Sequence, residues 1–321
     1  MNDLNIWKYI ENKLMENHSI FLLIVVNSSK SSPGRAGFKM AISDDKTTMG
    51  TIGGGIMEFD IINEVNKLLD KNELVGFFRK LVHSKTGDGD KSGLICGGIQ
   101  TIVFKSLLKS DLPIIQSILQ SIKLQTSGLL QIDEHHFTFS PELSIEEDLL
   151  FSSTNESWIF KENIGIPNRV YIVGGGHVGL AVSRIMATLN FFVTVFDNRS
   201  SVSTILENKF ADKIIITDYN RINEHIIEGE KSFVVIVTPN HNSDKDALES
   251  VLKLNLKYIG SMGSAKKIKS IFAKLKENGF LYTDLEKIHT PIGLAIKAET
   301  PEEIAISIAS EIIKVKNEIY F

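Results

Sequence analysis

Ile6, Trp7, Ile10 and Leu14 recur at the spacing of one helical face, and the uninterrupted apolar run IFLLIVV (Ile20 to Val26) after them reads as a buried strand. A polar turn follows, SSKSSPGRAGFKM, punctuated by Pro33, Gly34 and Gly37. The short strand MAIS, a turn at Asp44 and Asp45, and the run GTIGGG come next. Beyond Gly55 the apolar positions Ile56, Phe59, Ile62, Val65, Leu68 and Leu69 fall three and four apart, which predicts a helix buried on that face. The stretch HSKTGDGDKSG is polar throughout, and LICGGIQTIVF leads from it into another strand. LPIIQSILQSIK reads as a helix, and GLLQID, HFTFS and WIF as short strands.

The pattern changes at Pro167. RVYIV, the turn GGG, the helical run HVGLAVSRIMATL and FFVTVFD follow one another as strand, turn, helix and strand. Further β-branched runs, KIIIT, FVVIVT and KYIGS, are separated by segments of helix length, the alternation of a parallel sheet with helices on its faces. The last helix opens on a capping box, with Thr300 as cap, Pro301 in the first turn and Glu303 three beyond the cap. The expected fold is α/β: a C-terminal Rossmann-like, doubly wound parallel sheet (167–321) preceded by an N-terminal α+β domain (1–166).

A length of 321 residues agrees with two cores, and 43% hydrophobic with 23% charged residues is a globular composition. A net charge of -4 gives no electrostatic reason to expect nucleic acid or an anionic membrane as partner. The apolar runs are too short to span a bilayer, and the start, MNDLNIWKYIENKL, does not read as a signal peptide, so a cytoplasmic location is expected. Cys96 is the sole cysteine, which excludes an intramolecular disulfide and a multi-cysteine metal site made by this chain alone. His135 and His136 are adjacent, and neighbours in a strand point to opposite faces, so they form no metal-ligand pair.

Two glycine turns open helices. Gly174, Gly176 and Gly179 form GxGxxG between a strand and a helix, and Asp197 ends the next strand 18 residues beyond Gly179. Such a turn lets a pyrophosphate approach the backbone at a positive helix end, and the acid takes a ribose diol. His177 lies in the first turn of that helix, facing any bound anion or capping the helix, and Arg199 pairs with Asp197 or reaches a phosphate. Gly53, Gly54 and Gly55 open the earlier helix, but Glu58 in its first turn already satisfies the dipole and would repel a phosphate. Cys96 precedes Gly97 and Gly98 and reads either as an inert core thiol or, since the glycines leave room for a ligand to approach its sulfur, as a reactive one. Lys266, Lys267 and Lys269 crowd another helix start, read either as an anion site or as a solvated basic face.

In order, SSPGRAGFKM, GTIGGGIMEFDI, CGG, VYIVGGGHVGLAVSRI with VTVFDNR, YIGSMGS and IHTPIGLAIKAETPEEIAISIASEI cover nearly the whole chain. This set resembles the XdhC/CoxI family of accessory factors for xanthine dehydrogenase and related molybdenum hydroxylases. The resemblance implies a chaperone more than an enzyme. Such a protein binds the molybdenum cofactor (molybdopterin), protects it while a cysteine desulfurase exchanges its terminal oxo ligand for sulfur, and delivers it to the hydroxylase apoenzyme. It also suggests a homodimer. On this reading the two glycine turns hold the ends of the cofactor in a cleft between the domains, through Gly53 to Gly55, Glu58, Gly174, Gly176, His177, Gly179, Asp197 and Arg199. Cys96 with Gly97 and Gly98 meets the metal end, the thiolate being a soft ligand suited to molybdenum or to receiving sulfur. The alternative is an NAD(P)-dependent oxidoreductase using the complete GxGxxG, with His177, His241 or His289 as proton donor.

Overall fold

The computed structural model describes residues 3–29, 32–82, 90–91, 98–154, 157–263 and 265–318, and it divides into two compact units, Met1–Ile166 and Pro167–Phe321. Cys96 and Gly97 lie outside the described residues, as do the side chains of Lys266 and Lys267; Lys269 is exposed.

In the first unit, α1 (Asp3–Met15) precedes the strands β1 (Ile20–Ser28), β2 (Lys39–Ser43) and β3 (Thr48–Gly50). After helix α2 (Gly55–Asp70), β4 (Phe77–Val82), β5 (Asp90–Lys91) and β6 (Ile99–Leu107) complete the first sheet, ordered β3-β2-β1-β6-β4-β5. After α3 (Leu112–Leu124), the strands β7 (Gly128–Asp133), β8 (Phe137–Pro141), β9 (Leu149–Ser153) and β10 (Trp158–Ile164) form an antiparallel sheet ordered β8-β7-β10-β9. Strand β1 reads as an unbroken apolar run because both its faces are covered. Ile20, Leu22 and Ile24 enter the core with Trp7 and Ile10 of α1, while Phe21, Leu23 and Val25 pack with Met57, Ile61 and Val65 of α2. The buried ammonium of Lys39 is neutralised by Glu162 of β10 at 2.7 Å.

Helix α2 differs from its expected face. Met57, Ile61, Val65 and Leu69 are buried, whereas Ile56 is 61% and Phe59 62% exposed. Glu58, next to Met57, turns back onto the preceding loop, where it accepts from the Ile52 and Gly54 amides.

The second unit has the expected alternation. Strands β11 (Arg169–Val173), β12 (Phe192–Asp197), β13 (Lys213–Ile216), β14 (Gly229–Ile236), β15 (Leu256–Ser261) and β16 (Ile288–His289) form one sheet ordered β13-β12-β11-β14-β15-β16. Every pair in it is parallel. Connecting helices include α4 (His177–Thr188), α5 (Ser203–Leu206), α6 (His241–Val251), α7 (Ala265–Glu277) and α8 (Tyr282–Leu285), and α9 (Pro301–Asn317) closes the unit. Apolar side chains of β11 alternate between two cores: Val170 and Ile172 meet α4 and α9, Tyr171 and Val173 the opposite layer with α6. The Thr300 cap forms as expected, its hydroxyl accepting from the Glu303 amide at 3.2 Å. Among the described residues, no helix is long and apolar enough to cross a membrane.

Candidate functional site

The strand order reverses at β11, and the glycine turn Gly174 to Gly176 emerges there, at the carboxyl edge of the sheet where open α/β folds bind ligands. Gly174 is fixed by its amide, which donates to the Phe196 carbonyl at 2.8 Å, and by a φ of +113°. A Cβ on Gly179 would overlap the Gly174 carbonyl oxygen, so only glycine lets α4 start this close to β11. A Cβ on Gly176, in contrast, would meet nothing within 4 Å. The amides of Gly176, His177 and Val178 have no acceptor among the described residues, and His177 is exposed at the first position of α4. These are unpaired backbone donors at a positive helix end, an arrangement that favours an anion.

Asp197 is already engaged within the chain. Its side chain is 0% exposed. One oxygen accepts from the Gly175 amide at 2.7 Å and from Arg199 Nη2 at 2.9 Å, the other from the Arg199 amide at 3.0 Å and Nε at 2.8 Å. Burial works against its charge, but the bonds from Arg199 and Gly175 outweigh it and hold the carboxyl below the usual range. Of the two roles considered for Arg199, the ion pair is the one observed. A diol would have to displace this guanidinium to reach the acid.

The first glycine turn is closed in a different way. Glu58 Oε2 accepts from the Ile52 amide at 2.8 Å, the Gly54 amide at 2.9 Å and the Thr51 hydroxyl, while the Gly53 amide donates to Thr51 Oγ1 at 3.1 Å. The turn already carries an anion, its own carboxylate, so its role as an open phosphate cradle is not supported by this arrangement. Around it the structure gathers three of the motifs. Buried Gln100, two residues past Gly98, accepts through Oε1 from Ser32 Oγ at 2.9 Å and the Gly34 amide at 3.3 Å, and donates through Nε2 to the Ile52 carbonyl at 2.7 Å. Gly53 has a φ of +133° and would place a Cβ 2.6 Å from the Gly34 nitrogen. Ser32 to Gly34, TIGGG and the strand after CGG are therefore one packed cluster. Gln100 was missed by sequence reasoning; its one signal is a side-chain amide in the mostly apolar strand IQTIVF.

No group of three or more histidine, cysteine or acidic residues among the described residues is arranged to hold a metal. A cavity of about 450 Å³ in the first unit is lined by Leu74, Lys105, Ser110, His135 and Phe137 among others, and by none of the residues expected to bind the cofactor.

A Rossmann unit with unpaired amides at its first glycine turn, following an α+β unit that clusters its own glycine turn, defines the class of protein. Residues 170–312 match the XdhC Rossmann domain and residues 14–77 the XdhC and CoxI family. The chain belongs to the XdhC/CoxI family. It is 24% identical over 306 residues to the YqeB protein of Escherichia coli (strain K12), covering 95% of this chain and 45% of that one. The chain thus spans about 45% of the length of that relative. It is 23% identical over 327 residues to a protein of Bacillus subtilis (strain 168) described as a probable xanthine dehydrogenase subunit, covering 95% and 96% of the two chains. A crystal structure described as a xanthine dehydrogenase from Bacillus halodurans shares the fold, with a TM-score of 0.76 over 98% of this chain and 96% of that one at 20% identity.

Proposed function

We propose that this protein is an accessory factor that binds the molybdenum cofactor, shelters it during sulfuration and hands it to a xanthine dehydrogenase-type hydroxylase apoenzyme. One observation carries the choice against a nicotinamide enzyme. The backbone donors for a phosphate are free at Gly176, His177 and Val178, while the acid that would read an adenosine ribose is buried and neutralised by Arg199. A ligand with a phosphate and no ribose at that place fits these residues better than NAD or NADP. The Bacillus subtilis relative, described by its link to xanthine dehydrogenase, supports a molybdenum hydroxylase as the client.

On this reading the amides of Gly176 to Val178, with the exposed His177, hold the phosphate end. Glu58 and Gln100 keep the first glycine turn rigid beside the strand that follows Gly98. Cys96 is a soft thiolate suited to molybdenum or to receiving sulfur. The cofactor supplies the dithiolene-bound molybdenum on which a cysteine desulfurase places sulfur. The chain's own part is binding and exclusion of water, with no turnover of its own.

The test loads the full chain with cofactor released from a purified hydroxylase, treats it with a cysteine desulfurase and cysteine, and offers it to hydroxylase apoprotein. Activation above that given by free cofactor is expected, and Cys96→Ala is expected to fall to the free-cofactor level. Equal activation by Cys96→Ala would remove the thiol from the mechanism.

A further inference from the structure

Among the described residues two lysines are buried, Lys39 at 2% exposure and Lys105 at 6%, both in the first unit. Their surroundings differ. Lys39 is neutralised by the Glu162 carboxylate at 2.7 Å. Lys105, on β6, donates to two backbone carbonyls in the turn between β7 and β8, those of Asp133 and Glu134, at 3.1 Å each. The Asp133 carboxylate serves that turn itself, accepting from the His135 and His136 amides at 2.9 and 2.7 Å. An ammonium carries three N–H donors. Among the described residues, Lys105 therefore keeps one donor without an acceptor, and a buried charge without a carboxylate in ion-pair contact. Such a charge is costly until a counter-ion meets it. Burial accordingly pushes Lys105 below the ordinary lysine range, with the charges of Asp133 and Asp111 working the other way.

Lys105 also lines the cavity of about 450 Å³ in this unit. Glu134, whose carbonyl accepts from the ammonium, lines it too, so the charged end of Lys105 stands at the cavity wall. The opposite wall comes close, since a Cβ on Gly76 would lie 2.6 Å from the same Glu134 carbonyl oxygen. The rest of the lining narrows the chemistry of an occupant. Leu74, Val75 and Phe137 offer apolar contact, and Val75 is left 59% exposed. Asp111 and Glu134 add two carboxylates to the lining. A simple anion would meet Lys105 but be repelled by the two acids, and a simple amine would meet the acids but be repelled by Lys105. A small molecule with a carboxylate and an ammonium on an apolar body satisfies all of them, in a pocket of the size that holds small ligands.

We propose that this cavity binds an apolar α-amino acid, with its carboxylate on the Lys105 ammonium, its own ammonium toward Asp111 and Glu134, and its side chain against Leu74, Val75 and Phe137. The site shares no residue with either glycine turn, so it stands apart from the reading of the cofactor.

Calorimetric titration of the full chain with L-leucine, isocaproate and isoamylamine tests it, because the three share one apolar body and carry both charges, the carboxylate alone and the ammonium alone. L-Leucine is expected to bind saturably and about tenfold more tightly than either analogue, the worth of one charge-assisted hydrogen bond. Lys105→Met, which keeps the apolar stem, is expected to bind L-leucine at least about tenfold more weakly while its circular dichroism matches the wild type. The double variant Asp111→Asn with Glu134→Gln keeps the side-chain shapes and is expected to bind L-leucine no better than isocaproate; it decides the matter if Lys105→Met does not fold. No saturable binding of L-leucine, L-methionine or L-phenylalanine to the wild type overturns the proposal. So does undiminished binding by folded Lys105→Met, equal wild-type affinity for L-leucine and isocaproate, or a preference for L-leucine that survives in the double variant.

Discussion

Gly179→Ala should destabilise the second unit by about 3 kcal/mol or more and abolish anion binding at its glycine turn. The added methyl would overlap the Gly174 carbonyl oxygen and lie 3.1 Å from its carbonyl carbon. Neither side can yield easily. Gly174 is tied to Phe196 by its amide and packed against Val237, while α4 is held by Val182 and Met186 in the core it shares with α9. The helix must therefore lift from β11, and the amides of Gly176 to Val178 move with it. Gly176→Ala is the control within the same turn: its φ is −73° and its surroundings are open, so it should stay within about 0.5 kcal/mol of the wild type. Denaturant midpoints of the two variants check the contrast, and equal midpoints would show that the turn does not need the close approach.

Glu58→Ala should cost the first unit about 3 kcal/mol, since a single carboxylate oxygen accepts from two amides and a hydroxyl there. Removal would leave the Ile52 and Gly54 amides without their acceptor in a loop already constrained by glycines at positive φ. Glu58→Gln keeps an acceptor oxygen without the charge and should lose less than half as much. Urea unfolding of both variants reads this order. Wild-type stability in Glu58→Ala would mean that the Gln100 cluster alone holds the turn.

The second unit was legible because its signals are local. Buried parallel strands such as FVVIVT are continuous apolar runs, and the glycine turn sits between a strand and a helix within one short segment. The first unit was less so. FFRKLV and LLFSS, which form β4 and β9, mix charged or polar residues into short strands and gave no expectation. The face of α2 was misjudged because Ile56 and Phe59 keep helical spacing while remaining exposed. Glu58 was visible in part, as a first-turn acid that argues against a second anion. Gln100 and Lys105 were not visible at all, because their partners lie up to 68 and 29 residues away along the chain. The motif pieces could be read in order, but which of them touch is decided by the folded sheets.

The most direct measurement is the molybdenum and pterin content of the full chain purified gently from a molybdenum-replete host, beside a thermal-shift titration with NAD and NADP. The account predicts near-stoichiometric pterin with molybdenum and no nicotinamide shift. A clear shift with NAD or NADP on pterin-free protein would contradict it and return the glycine turn to the nucleotide role that the arrangement of Asp197 and Arg199 argues against.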